Sequence, residues 1–172
     1  MNAISPRTPN PISWSTAILC ALGFWLSGSL IFDCLLVPSM MTTGMMNESS
    51  FASTGYVIFG TFNHLELLCS ATILAGCLVY RFGDCFNQKV SFKSLAIATI
   101  LMTIALADTY IFTPQMSSMG MSLDLFTSAE VISTSMAVMH LAYWSLEVAK
   151  LVCAVTLLRT FFVAIGNISF TR

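Results

Sequence analysis

The run WSTAILCALGFWLSGSLIFDCLLVP, Trp14–Pro38, decides the class of this chain: 25 residues with one charged side chain, Asp33, toward its far end. Crossing a hydrocarbon core takes about 20 helical residues. No water there can satisfy an exposed backbone, so a segment of this length and composition is expected to be a membrane-spanning helix. A secretory leader has a shorter apolar core, about 7–15 residues, and a small-residue cleavage site. Neither feature fits, so the run is read as a retained first span.

Three further stretches have the same character: Thr54–Tyr80, Phe92–Thr113 and Val131–Leu158. Pro38 and Pro114 are expected to end the first and third spans, because proline cannot continue the hydrogen-bond ladder. The expected fold is an all-α, four-helix transmembrane bundle over residues 14–158, with spans of about 14–38, 54–80, 92–113 and 131–158. Residues 1–13 would form an N-terminal segment and 159–172 a C-terminal tail. Composition agrees: 56% of the 172 residues are hydrophobic, 9% are charged, and the mean hydropathy is +0.83. A soluble domain carries about a quarter charged residues. No basic run is present to bind nucleic acid.

Orientation follows from the basic residues. Arg7 precedes the first span, Arg81, Lys89 and Lys93 lie around the middle connection, and Arg159 and Arg172 follow the fourth span. The connections Ser39–Ser53 and Gln115–Glu130 contain no Lys or Arg. Both termini and the middle loop are therefore expected on the cytoplasmic side. The six cysteines, Cys20, Cys34, Cys69, Cys77, Cys85 and Cys153, form no C-x-x-C pair and are absent from both outer loops. They read as small packing residues rather than a disulfide framework.

At an offset of 76 residues the chain matches itself. Pro38 falls on Pro114, Met40 on Met116, Gly44 on Gly120, Met45 on Met121, His64 on His140 and Cys77 on Cys153. The shared string is P-x-M-x-x-x-G-M. Two pseudo-repeated hairpins of like orientation would be related by an axis along the membrane normal. His64 and His140 are then expected at matching depth, facing that axis from the second and fourth helices.

Those histidines support several chemistries. Two imidazoles across a four-helix bundle match a bis-histidine haem b site. Either alone could hold chlorophyll. They could equally hydrogen-bond between helices or handle protons or ions. The outer methionines Met40, Met45, Met116 and Met121 offer thioethers that suit copper(I), or are simply packing residues. The remaining intramembrane polar residues, Asp33, Asn63, Glu66, Asp108, Glu147 and Lys150, would stack into a polar column with the histidines. Glu147 and Lys150, three apart, can pair on one helix, and Glu66 could reach Lys150 from the neighbouring helix. Glu147, Trp144 and His140 share a face by spacing. The column is either an ion path or a structural ion-pair network; Asp33 and Asp108 alternatively reach the outer interface. No hydrolase triad, phosphate loop or zinc protease helix is present.

The strings GFWLSGSLIFDCLLVPSM, FNHLELLCSATIL, DTYIFTPQMSSMGMSLD and MHLAYWSLEVAKL resemble the transmembrane protein 205-like family, a four-span domain of unknown function common in cyanobacteria. The similarity runs from about Trp14 to Leu158, with Thr113-Pro114-Gln115-Met116 and His140 its most recognisable pieces. It implies a four-helix membrane bundle without established catalytic residues, in a bacterial plasma membrane or thylakoid. A second histidine at the His64 position is not a fixed feature of that family.

Three functions follow as expectations. The first is a non-catalytic accessory or scaffold subunit of a photosynthetic or respiratory membrane assembly, holding haem b or chlorophyll through His64 and His140. The second is a small transporter or copper-handling protein using the outer methionines and the polar column. The third is a haem-dependent membrane oxidoreductase. In each, the partners are the lipid bilayer and other membrane subunits.

Overall fold

The computed structural model describes residues 11–43, 51–82, 90–118 and 134–169, which are helical almost throughout. The first helix runs Pro11–Ile31, passes through a single π turn at Phe32–Leu36, and resumes as α-helix over Val37–Thr42. The second is one unbroken helix, Phe51–Phe82. The third begins at Phe92, where the Ser91 hydroxyl accepts from the Lys93 amide as an N-cap. It runs to Ala107, enters a π turn at Asp108–Phe112 and is helical again over 113–118. The fourth is Thr134–Ser169, longer than expected and continuing past Leu158.

Helices end at neither Pro38 nor Pro114, contrary to expectation. A proline inside a helix lacks an N–H and crowds the carbonyl four residues back. In both places the five-residue π turn ends two residues before the proline and widens the ladder, with Val37 N–H bonded to Phe32 O and Thr113 N–H to Asp108 O. The helix therefore continues rather than stops. The two π turns start 76 residues apart, at Phe32 and Asp108.

Three helices are long and apolar enough to cross a membrane: Trp14–Met40, Ser53–Phe82 and Phe92–Ser118. This makes the protein an integral membrane protein. The fourth helix carries Glu147, Lys150 and Arg159 along its length.

The helices form a ring. The first packs on the second and fourth, and the third packs on the same two. First and third, like second and fourth, face each other diagonally. The surface is apolar, with Phe24, Leu35, Val57, Leu68, Leu141 and Phe162 exposed. Exposed hydroxyls bond within their own helix: Thr61 to Val57 O, Thr72 to Leu68 O, Thr99 to Leu95 O, Ser145 to Leu141 O and Thr156 to Val152 O. Self-satisfaction of this kind is what a hydroxyl facing lipid requires, since hydrocarbon offers no partner.

The interior divides into two halves along the axis. Toward the middle connection lie Ile18, Leu22, Ile73, Cys77, Ala98, Leu101, Ala154, Leu157 and Phe161, a packed apolar core. Gly76 lets the first two helices approach here, for an added Cβ would stand 2.6 Å from Ile18. Ser15 and Tyr80 hydrogen-bond at its edge. Toward the proline ends the buried residues are instead mostly polar, Ser29, Asn63, Glu66, Asp108, Thr109, Thr113, Ser117, Glu147 and Lys150, with Met40, Ile104 and Ala105 among them.

Candidate functional site

Each helix supplies the polar half by spacing its polar residues at helical intervals. Trp25 and Ser29 lie four apart on the first helix; Asn63, Glu66 and Ser70 share one stripe of the second; Thr109, Thr113 and Ser117 lie four apart on the third; Glu147 and Lys150 lie three apart on the fourth. Bringing the four stripes to one axis assembles the site.

At its centre is the Lys150 ammonium. Nζ stands 2.7 Å from Glu66 Oε2, 2.7 Å from Glu147 Oε1 and 3.0 Å from Asp108 Oδ2. No side chain in the group is more than 4% exposed. An ammonium has three protons to donate, and three carboxyl groups stand within 3.0 Å of it. Glu66 is the best satisfied of the acids. Its Oε1 also accepts from Trp25 Nε1 at 2.7 Å and from Ser29 Oγ at 3.2 Å. Tyr143 lies four residues before Glu147 on the same helix and interacts with it electrostatically. Asp108 is the least satisfied. Its Oδ2 contact with Nζ is close enough for ion pairing but is not aligned as a hydrogen bond, and Oδ1 has no hydrogen-bond partner among the described residues.

Asn63 flanks the ions one turn along the second helix. Its amide nitrogen donates to Thr113 Oγ1 at 2.7 Å, and Thr109 Oγ1 sits 3.4 Å from its backbone carbonyl. The side chain is thus anchored to the third helix, yet Oδ1 is buried without a partner among the described residues. Asp33, half-buried on the first π turn, interacts electrostatically with Glu147 and Lys150, and its Oδ2 is likewise buried without a partner.

Carboxylates outnumber ammonium by three to one in this sealed group. Removing charge from water is costly unless it is paired, and surplus charge of one sign remains uncompensated. Three carboxyl groups converging on one position are a donor set that could hold a cation. The oxygens of Glu66, Asp108 and Glu147 lie within 4.8 Å of one another, close enough to share one ion.

The polar-column residues thus come together, with two corrections. Asp108 does not reach the outer interface; it is fully buried and paired with Lys150. Glu66 meets Lys150 across the diagonal of the ring rather than from a neighbouring helix.

His64 and His140 are not brought together across the axis, for both are exposed. With Asn63, Glu66 and Ser70 turned inward, position 64 falls on the flank of the second helix, since successive residues are about 100° apart. Its Nδ1 bonds Gly60 O at 2.6 Å and its ring meets Tyr110 edge-on at 6.3 Å. His140 lies outward of Glu147 on a stretch, 138–146, that contains no buried residue. Trp144 is exposed as well, so the face expected for His140, Trp144 and Glu147 is split by depth. Among the methionines, Met40 is buried and Met116 half-buried, while Met45 and Met121 lie outside the described residues.

Sequence reasoning missed Trp25, Ser29, Thr109, Thr113 and Tyr143. Their four-residue spacing with one another and with Asp33 and Glu147 was the available signal.

No protein-family model, curated protein or solved structure matches the chain.

Proposed function

We propose that this is a four-span membrane protein of the small-transporter class, whose working centre is the Glu66–Asp108–Glu147–Lys150 cluster and whose cargo is a small cation. One observation carries the reading: three buried carboxylates converge on a single ammonium inside an apolar bundle. A network serving only to fix helix register would be expected to balance its charges, because each uncompensated buried ion destabilises the fold. Intramembrane ionisable groups of this kind characteristically mark ion pathways.

The fourth helix is taken as the fourth span, with its two central charges turned inward, and the basic residues Arg81, Lys93 and Arg159 support a cytoplasmic position for the termini. The offset of 76 between the two π turns supports descent of the hairpins from one duplicated unit. The cluster departs from that symmetry, since Glu66 falls on Ala142, Glu147 on Ala71 and Lys150 on Leu74. The resemblance to the transmembrane protein 205-like family agrees with the four-span architecture and supplies no site.

Proteoliposomes carrying a potential-sensitive dye test the proposal. Imposed NaCl, KCl, MgCl2, CaCl2 or MnCl2 gradients are expected, for at least one of these salts, to drive charge movement through wild-type protein and not through Asp108→Asn. Wild-type signals equal to those of empty vesicles under every gradient would overturn it.

A second reading is favoured by one feature of His64. A carbonyl only accepts, so Nδ1 donates to Gly60 O and leaves Nε2 as the available ligand atom on an exposed face. Fixing one ring nitrogen in this way is how proteins orient a ligating histidine. A haem or chlorophyll held there at the lipid boundary would give a visible absorption band that His64→Ala abolishes. A colourless preparation from the native membrane would dismiss this reading.

A further inference from the structure

We infer that the Glu66–Asp108–Glu147 cluster is a site for a hard divalent cation of the Ca2+ or Mn2+ type, and that Lys150 is a tethered competitor for it. The inference rests on the cation-handling reading above and names its cargo class and a built-in control.

All the oxygens concerned are hard donors, which suit Mg2+, Ca2+ and Mn2+ and not copper(I). Three already surround one point, at 2.7, 2.7 and 3.0 Å from Nζ. A contraction of a few tenths of an ångström brings them to the roughly 2.3–2.6 Å of Ca2+ coordination. Mg2+ needs about 2.0–2.1 Å and sheds its water reluctantly, so it fits less well.

Two further buried oxygens without a partner among the described residues point to a ligand, one on Asp108 itself and one on Asn63 outside the triad. Asp108 is fully buried and aimed at the cluster through its contact with Nζ, yet its Oδ1 accepts from no described residue. Asn63, also 0% exposed, shares the inward stripe of Glu66 and has its amide nitrogen tied to Thr113, which leaves Oδ1 without a donor. Buried polar atoms are nearly always satisfied, and an exception marks strain or an unseen partner. Amide and carboxylate oxygens are ordinary ligands of a hard cation. A dication also offsets more of the surplus negative charge than an ammonium can.

The ammonium and the ion need the same three oxygens, so they exclude each other. Lys150 sits on a flexible four-carbon stem and can withdraw while remaining charged. Asp33, with a buried oxygen that has no partner among the described residues and an electrostatic interaction with Lys150, is the group toward which it would turn.

The test uses full-length protein in detergent, freed of metal by chelation, titrated with MnCl2 while the free-ion electron paramagnetic resonance signal is followed. Wild type is expected to take up one Mn2+ per chain saturably. Asp108→Asn should weaken binding at least tenfold, and Lys150→Arg, whose larger cation keeps its charge, should abolish it. Lys150→Met should bind at least tenfold more tightly. If that variant loses its helical circular dichroism, recovery of the signal on adding MnCl2 gives the same answer, and the Arg variant decides independently. No saturable uptake by wild type overturns the site. Uptake by Lys150→Arg equal to wild type overturns the competition. Failure here, with monovalent cation flux intact in proteoliposomes containing chelator, would remove the divalent assignment and leave the transport reading standing.

Discussion

The two halves of this bundle solve the same packing problem with opposite chemistry. Toward the middle connection, Ile18, Leu22, Ile73, Leu101 and Leu157 fill the axis, all fully buried. Toward the proline ends, Glu66, Asp108, Glu147 and Lys150 fill it, just as deeply. Lipid tails are as apolar as leucine, so helix association in a membrane gains little from hydrophobicity and depends on close packing and polar pairing. The apolar half uses the first and the polar half the second. The apolar half is a plug that separates the ionic cluster from the side bearing Arg81 and Lys93. The polar half lies beside the two π turns, and the fourth helix contributes no buried residue over 138–146 on that flank. The cluster itself is closed to solvent in this conformation, with none of its side chains more than 4% exposed.

The contrast can be broken from either end. The largest effect is expected from Lys150→Met, which strands three buried carboxylates. Removing one partner of a buried ion pair costs about 3–5 kcal/mol, so metal-free protein should melt far earlier in detergent, as followed by circular dichroism. A melting curve like that of wild type would show that the polar half does not rely on its central cation. Next comes Leu101→Ala in the plug. Lost contacts and the cavity they leave should destabilise the bundle by about 2–4 kcal/mol and admit water toward the cluster. A rise in uncoupled cation leak through proteoliposomes would report that opening, and an unchanged leak would place the barrier elsewhere.

Gly76→Ala tests how closely the plug is packed. Its new methyl meets Ile18, which has no exposed surface to move into, and overpacking of this kind costs about 1–3 kcal/mol. Pairing it with Ile18→Ala should restore most of the loss; additive effects would deny the contact. Asn63→Ala should give the smallest change, about 1 kcal/mol for an interhelical hydrogen bond in a membrane. Its influence on Mn2+ affinity should exceed its influence on stability. Equal, minor effects on both would make Asn63 a spacer and not a ligand.

Much of the architecture is visible in residue order. Long apolar runs require helices because hydrocarbon cannot satisfy a backbone, and the charged residues of the cluster stand out against them. The prolines misled in one respect, for the sequence shows the missing N–H and not the π turn that absorbs it. The histidines misled more. They are rare and symmetric in sequence, so they attract a functional reading, while Trp25, Ser29, Thr109 and Thr113 are inconspicuous among similar residues. Which of two adjacent positions, Asn63 or His64, faces the axis depends on helix rotation, and an apolar exterior erases the amphipathic pattern that would reveal it.

By itself, the sequence determined that the chain is helical and membrane-embedded, because composition and run length are properties of single segments in a given solvent. Only the tertiary structure decided that Lys150 meets Glu66 across a diagonal, that Asp108 joins them, and that the two imidazoles stay apart. Those outcomes depend on how four helices rotate and slide against one another, and that is fixed by side-chain fit between segments rather than within any one of them.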